Sequence, residues 1–256
     1  MQLEGKRTIV TGGASGIGAA TVLAFAREGA SVVSVDVNDE NGRRIAKEAD
    51  ELGPGTVTYR HLDLSKQDEV NRVFDDAVTQ LGGLDALANI AGLDEQKPAE
   101  DVTEVDIDKL FNVNVKGMFF TNAAAFRAMK DHGGSIINAS SGAGVTGYPG
   151  SPVYSASKAA MLGYMRTVAY DWGDKLIRVN SILPAAETEM TKEHFGKMDE
   201  ATLAEYKALY ASKIPLGGWL GTVDQIAQAN VFLASDASSF ITGQAIAIDG
   251  GWTMVR

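Results

Sequence analysis

The chain contains no cysteine, three histidines and six prolines in 256 residues. Without cysteine, disulfides and thiolate chemistry are excluded, and a reducing compartment is allowed. His61, His132 and His194 are widely spread and form no His-x-x-x-His pair, so no metal site of recognisable spacing is expected. His194 falls in a polar segment where it could touch a substrate, although an exposed histidine of no special role is the simpler reading. Basic residues are in deficit as well. Lys and Arg number 23 against 33 Asp and Glu, a net charge of −10, which disfavours nucleic acid and anionic membrane as partners. No apolar run approaches the ~20 residues of a membrane span. A strand-like run begins within a few residues of Met1 and leaves no room for a signal peptide. A soluble, cytoplasmic protein is the expectation. No Pro/Ser-rich linker, low-complexity run or internal repeat divides the chain, and 45% hydrophobic residues can bury a substantial core. A single domain over residues 1–256 is therefore expected.

Apolar runs of strand length alternate with stretches of helical period. Thr8-Ile9-Val10 and Val32 to Val35 read as the first two strands. Val57-Thr58-Tyr59, Leu84 to Ile90, Ser135 to Ala139, Ile177 to Ile182 and Ala245 to Ile248 supply the rest. Helical segments are expected at roughly 17–28, 40–52, 66–81, 104–130, 153–173 and 223–235. Gly29 stands where a left-handed helix cap is expected. Ser65-x-x-Asp68 and Thr222-x-x-Gln225 look like capping signals. Strand–helix alternation with near-continuous apolar strands argues for a parallel α/β sheet covered by helices on both faces. Residues 186–218 break this rhythm; they are polar and helix-tending and read as a lid or substrate loop.

Between the first strand and its helix runs Thr11-Gly12-Gly13-Ala14-Ser15-Gly16-Ile17-Gly18. Glycines in such a turn let the backbone adopt positive φ and approach a phosphate closely, and the helix N-terminus offers N–H groups to the anion. Gly12, Ser15, Gly16, Ile17 and Gly18 are accordingly candidate cofactor contacts. Asp36 lies at the end of the second strand, twenty residues after Gly16. Its carboxylate can accept hydrogen bonds from both hydroxyls of an adenosine ribose and would repel a 2′-phosphate. Ser15 and Val37 offer no cation to hold that phosphate, and Arg43 and Arg44 on the next helix read as solvated. NAD(H) is the cofactor this pattern predicts.

Tyr154 and Lys158, in Tyr-Ser-Ala-Ser-Lys, are four apart and share a helix face. A lysine ammonium beside a phenol is expected to lower the phenol pKa and so equip it as a general base. Ser141, thirteen residues earlier, is a hydroxyl donor that could polarise a carbonyl. Tyr-x-x-x-Lys is a short pattern that a solvated helix face would also give. Its company, in this order, points to a nicotinamide-dependent redox enzyme.

The chain resembles the short-chain dehydrogenase/reductase family over essentially its whole length. The family's Thr-Gly-x-x-x-Gly-x-Gly stands at Thr11 to Gly18. Its adenine-binding Asp-Leu is matched by Asp63-Leu64, and its Asn-Asn-Ala-Gly by Asn89-Ile90-Ala91-Gly92, with isoleucine for the second asparagine. The family's catalytic asparagine corresponds to Asn114, its serine to Ser141 and its tyrosine and lysine to Tyr154 and Lys158. Arg178-Val179-Asn180 and Asp249-Gly250-Gly251 also follow the pattern. The resemblance implies a Rossmann-type doubly wound sheet of about seven parallel strands. It also implies that Lys158 hydrogen-bonds the nicotinamide ribose and that Asn114 holds a water linking Lys158 to solvent.

One stretch departs from the family. After Asn180-Ser181-Ile182 the family continues Pro-Gly, with a threonine five residues after the proline. Here the run is Pro184-Ala185-Ala186-Glu187-Thr188, so the threonine arrives one residue early and an alanine replaces the glycine. The resemblance makes Pro184 and Thr188 neighbours of the nicotinamide; Glu187 reads as solvated.

Gly142 to Val145, Tyr148, Ser151 and the 186–218 stretch, with Met190, Phe195, Met198, Tyr206 and Tyr210, are the expected pocket lining. Without a basic cluster for phosphopantetheine or a carboxylate, a small neutral alcohol or ketone is favoured as substrate. A 3-oxoacyl thioester reductase and a non-catalytic NAD-binding sensor or scaffold remain as alternatives, and 256 residues leave no room for the substrate domain of a sugar-nucleotide epimerase. The resemblance further implies a homotetramer built on helices 104–130 and 153–173 and the C-terminal segment.

Overall fold

A computed structural model describes residues 1–254, apart from the side chains of Met190 and His194. Seven strands form one parallel sheet: β1 (Arg7–Thr11), β2 (Ser31–Asp36), β3 (Thr56–His61), β4 (Ala86–Asn89), β5 (Gly134–Ala139), β6 (Ile177–Pro184) and β9 (Ala245–Ile248). The short strands β7 (Ala186–Glu187) and β8 (Gly221–Thr222) pair separately. The helices are α1 (Gly16–Arg27), α2 (Asp39–Leu52), α3 (Gln67–Leu81), α4 (Glu104–Leu110), α5 (Met118–Met129), α6 (Ala143–Thr146), α7 (Pro152–Asp171), α8 (Glu189–Gly196), α9 (Glu200–Lys213) and α10 (Val223–Ala234). The sheet order is β3-β2-β1-β4-β5-β6-β9, and it reverses between β1 and β4. In a doubly wound sheet that reversal opens the ligand crevice at the strands' carboxyl ends.

Strand side chains alternate between the two faces, and the core divides accordingly. Val10, Val32, Ala88, Ile137 and Ile182 pack with Phe25 of α1, Ile45 of α2 and Val231 of α10. Their neighbours Ile9, Val33, Leu87, Ile136 and Leu183 pack with Phe74 of α3, Met129 of α5 and Met165 of α7 on the other face. Burial on both faces explains why the strands read as apolar runs rather than as alternating ones.

Gly29 has the positive φ, +87°, expected of it after α1. Thr222 and Gln225 form the expected capping box at α10, with Thr222 Oγ1 accepting from the Gln225 N–H and Gln225 Oε1 from the Thr222 N–H. Ser65 does not cap α3. It donates its hydroxyl and its N–H to Asp63 instead, and Lys66 occupies the cap position. The expected helix 104–130 is interrupted by a π-helical stretch at Phe111–Gly117. Such widened turns concentrate at functional sites, and this one carries Asn114. Residues 186–218 fold into α8 and α9 over an aromatic cluster centred on Phe195, Tyr210 and Ile214.

Arg178 and Asn180 serve the fold. The Arg178 guanidinium donates to the Leu233 and Ser235 carbonyls, and the Asn180 amide to that of Ile241. Asp249 accepts from the Gly251 and Thr253 N–H groups and so sets the C-terminal turn.

Candidate active site

Thr11 ends β1, and the chain turns through Gly12 (φ +71°) before α1 begins. A Cβ on Gly12 would come within 2.8 Å of Ala91 Cα, and one on Gly18 would collide with the Gly12 carbonyl. Only bare backbone lets the turn lie against Ala91 and lets α1 pack back beneath it. Ser15 stands at the α1 cap with extended backbone, and its hydroxyl makes no capping bond. The first turn, with Ile17 and Gly18, thus presents its N–H end toward the crevice. Asp36 is fixed against this turn: Oδ2 accepts from the Ala14 N–H at 3.1 Å and Oδ1 from the Asn38 N–H at 2.9 Å. The chemistry of this donor set, backbone N–H groups on a bare glycine turn with a carboxylate held beside them, is of the kind a dinucleotide needs.

The other predicted cofactor residues divide into two kinds. Asp63 and Gly92 are not among the deeply buried ones. Asp63 accepts from Ser65 and Lys66, and the Ser65 hydroxyl in particular holds its carboxyl below the usual carboxylate range. Gly92 backs onto two of the candidate catalytic groups, since a Cβ there would lie 3.2 Å from Lys158 Nζ and 3.3 Å from Asn114 Oδ1. Leu64 and Asn89 are buried. Asn89 Oδ1 accepts from the Thr11 hydroxyl at 2.9 Å and its amide donates to Asn138 Oδ1 at 3.2 Å, while Thr11 Oγ1 accepts from the Ile90 and Ala91 N–H groups. The Asn89 side chain braces the floor of the site from below. Pro184 ends β6 opposite Ile248 of β9. Thr188 stands across from Gly16, its methyl 3.6 Å from where a Cβ on that glycine would be. Its backbone N–H donates to Thr191 Oγ1 and its hydroxyl accepts from the Thr191 N–H. The early threonine is therefore the opening turn of α8, beside the glycine turn.

Ser141, Tyr154, Lys158 and Asn114 come together at the carboxyl ends of β4 and β5. Ser141 is hydrogen-bonded to the Tyr154 phenol, and its Oγ accepts from the Ala143 N–H at 3.1 Å. Lys158 is buried, at 4% exposure, its Nζ 5.6 Å from the Tyr154 ring centroid and donating to the Ala139 carbonyl at 2.7 Å. Asn114, 1% exposed, brackets the backbone of one residue: Oδ1 accepts from the Leu93 N–H at 2.8 Å and Nδ2 donates to the Leu93 carbonyl at 2.9 Å and to Ser157 Oγ at 3.1 Å.

The electrostatics correct one expectation. Lys158 was expected to lower the Tyr154 pKa, yet the phenol is pushed up to about 12. Burial is the largest cause; the hydrogen bond to Ser141 opposes it and the charge of Asp94 adds to it. The ammonium is itself pushed down to about 8 by burial, with Asp94 working in the opposite sense. Two desolvated groups on one helix face each disfavour their charged form, and burial decides the direction of both shifts. Asp94 is the residue that motif reading missed. It follows directly on Leu93, whose peptide Asn114 holds, and its charge reaches Tyr148, Tyr154 and Lys158. Its only sequence signal was an acid two positions beyond Gly92.

Phe195, Tyr206 and Tyr210 stack edge-to-face with one another, and Tyr210 also packs on Trp219 and Trp252. These aromatics mainly hold α8 and α9 together. Tyr210 is hydrogen-bonded to Tyr148, which ties the helical segment to the catalytic side. The side chains of Met190 and His194, both named from the sequence, lie outside the described residues. Among the described residues no cluster of His, Asp or Glu could hold a metal, and no helix is long and apolar enough to cross a membrane.

The family whose sequence model is described as enoyl-(acyl carrier protein) reductase matches residues 12–253. A 3-oxoacyl-[acyl-carrier-protein] reductase FabG from Thermotoga maritima is 42% identical, covering 98% of this chain and 99% of its own. A (+)-borneol dehydrogenase 2 from Salvia officinalis is 35% identical, covering 99% and 91%. A crystal structure of a short-chain type dehydrogenase/reductase from Mycobacterium marinum superposes with a TM-score of 0.89 at 33% identity, covering 99% of this chain and 98% of the other. The chain belongs to the short-chain dehydrogenase/reductase family and is a nicotinamide-dependent oxidoreductase.

Proposed function

We propose that this enzyme interconverts a secondary alcohol and a ketone, with NAD(H) as its cofactor and Tyr154 as general acid and base. The observation that carries the reading is the Tyr154 phenol hydrogen-bonded to Ser141 beside the buried Lys158 ammonium. The nicotinamide supplies or accepts the hydride. The chain's own residues do the rest. Ser141 and Tyr154 donate hydrogen bonds to a carbonyl oxygen and so stabilise the charge that develops there. Tyr154 gives the proton in reduction and takes it in oxidation. Lys158 supplies a cation in a site of low polarity and a donor for a ribose hydroxyl. Asn114 fixes the Leu93 peptide next to that lysine, and Gly92 keeps the approach open.

The NAD(H) preference is supported by the Asp36 carboxylate held on the glycine turn. Arg43, the nearest arginine along α2, pairs with Asp39, and Arg44 with Glu48. Asp36→Ala is expected to weaken NADH binding roughly 10-fold and to narrow the discrimination against NADPH. Titration with both nucleotides checks this; a wild type that binds NADPH better than NADH removes the assignment.

A second reading, reduction of a 3-oxoacyl thioester, is favoured by the 42% identity to a protein of that name. NADH and NADPH oxidation against small ketones, diketones and a 3-oxoacyl thioester decides between the two. Thioester reduction faster than any ketone, with NADPH preferred, would establish the second reading. A nucleotide-binding protein inert toward the whole panel would favour a sensor.

A homotetramer is also proposed. Val105 and Ile107 of α4, Tyr170 of α7, Phe240 and Met254 are exposed on the segments expected to associate. Sedimentation equilibrium is expected to return four chains; a monomer mass overturns this.

A further inference from the structure

Arg43 and His61 stand beside the acid taken to bind the ribose, and both are engaged by one carboxylate. Asp39, in the first turn of α2, faces Arg43 Nη2 with Oδ2 at 3.1 Å and His61 Nδ1 with Oδ1 at 2.8 Å. The same Oδ1 accepts the Tyr59 hydroxyl at 2.9 Å. That hydroxyl lies 2.7 Å from the main-chain oxygen of Asp36, so one phenol joins the backbone of the ribose acid to the carboxylate of Asp39. Tyr59 cannot easily leave, because its ring fills the space over Gly42, where a Cβ would overlap it. Asp39 is thereby anchored next to Asp36 rather than free on the helix surface.

We infer that Asp39 is a second determinant of cofactor choice, a positioning residue that keeps the Arg43 guanidinium occupied and so withholds it from a 2′-phosphate. This rests on the proposed role of Asp36. A phosphate ester on the ribose needs a charge-assisted donor, and an arginine fork is the side chain best suited to it. Arg43 carries that fork one helical turn after Asp39, on the element that opens directly after Asp36. An isolated exposed pair would hold it weakly. Here the carboxylate also meets His61 and the Tyr59 hydroxyl, whose one hydrogen is shared with the Asp36 carbonyl, and its pKa is held down by His61 first and Tyr59 second. The chain thus excludes the phosphorylated cofactor twice: Asp36 repels the phosphate, and Asp39 withholds the cation that would compensate.

The test is nucleotide binding, read by quenching of tryptophan fluorescence, which requires no turnover. Asp39→Asn keeps an acceptor for Tyr59 while removing the charge that holds Arg43. Alone it is expected to change NADH affinity by less than about threefold. Combined with Asp36→Ser it should bind NADPH at least roughly 10-fold tighter than Asp36→Ser alone, the equivalent of one charge-assisted bond. Adding Arg43→Ala to that pair should abolish the gain. Equal NADPH affinity with and without Asp39→Asn overturns the inference, as does a gain that survives Arg43→Ala. Should Asp39→Asn not fold, Asp39→Ser, which suits a helix first turn, answers the same question. A wild type preferring NADPH would instead overturn the role of Asp36, a separate outcome.

Discussion

Replacing Tyr154 by phenylalanine is expected to lower turnover by roughly 10³-fold or more while leaving NADH affinity nearly intact. The substitution removes one oxygen and keeps the ring over which Lys158 lies, so the lysine retains its carbonyl partner Ala139. What disappears is the proton that completes ketone reduction and one of two donors to the developing alkoxide. Ser141 remains, and one donor without a proton source cannot restore the rate. With the phenol pushed up to about 12, Tyr154 is protonated throughout the neutral range and stands ready as an acid. Reduction therefore needs no ionisation of Tyr154, whereas alcohol oxidation draws on the phenolate and should accelerate with rising pH. Initial rates in both directions, with nucleotide binding measured in parallel, check the prediction. Phenylalanine-variant turnover within about tenfold of wild type would remove Tyr154 from the chemistry.

The fold was legible because its period is simple. Ile9 and Val10 face opposite helical layers, and strands buried on both faces announce themselves as apolar runs. The glycine turn was legible for the same local reason, since only a backbone without Cβ passes between Gly12 and Ala91. Contacts that join distant segments were not. No periodicity reveals that Asn89 turns its amide into a buried network with Thr11 and Asn138. Nor does it reveal that Asn114 sits in a widened turn and holds the Leu93 backbone. Ser65 looked like a cap because serine three residues before an acid usually is one, yet the carboxylate of Asp63 competes successfully for its hydroxyl. Most instructive is the tyrosine. Spacing along a helix correctly brought Lys158 to Tyr154, but the sign of the pKa shift depends on how much water reaches the pair. Burial is a property of the whole fold, not of a five-residue motif.

That burial makes a prediction about Lys158 in which activity and stability move in opposite directions. Lys158→Met should abolish turnover, since it removes the site's buried cation and its donor, yet it should make the folded state more stable at neutral pH. The ammonium is pushed down to about 8 from an unfolded value of 10.5, so between those pH values the unfolded chain binds the proton that the folded chain has released. Wild-type stability consequently rises with pH across this window, and below pH 8 the folded state bears the full desolvation cost, about 3 kcal/mol. Methionine fills a similar volume without that cost. The Ala139 carbonyl loses its lysine donor, which offsets about 1–2 kcal/mol. A net gain of about 1–2 kcal/mol is left at pH 7. As the pH approaches that of free lysine the desolvation cost vanishes while the lost hydrogen bond remains, so the gain should fall through zero and become a loss of about 1 kcal/mol. Urea denaturation of both proteins at pH 7 and near pH 10 reads the difference directly. A variant less stable than wild type at neutral pH, or a difference that ignores pH, would mean that the folded protein accommodates the Lys158 charge without penalty. Confirmation would identify the lysine as a group kept at a cost to the fold, which its chemistry alone explains.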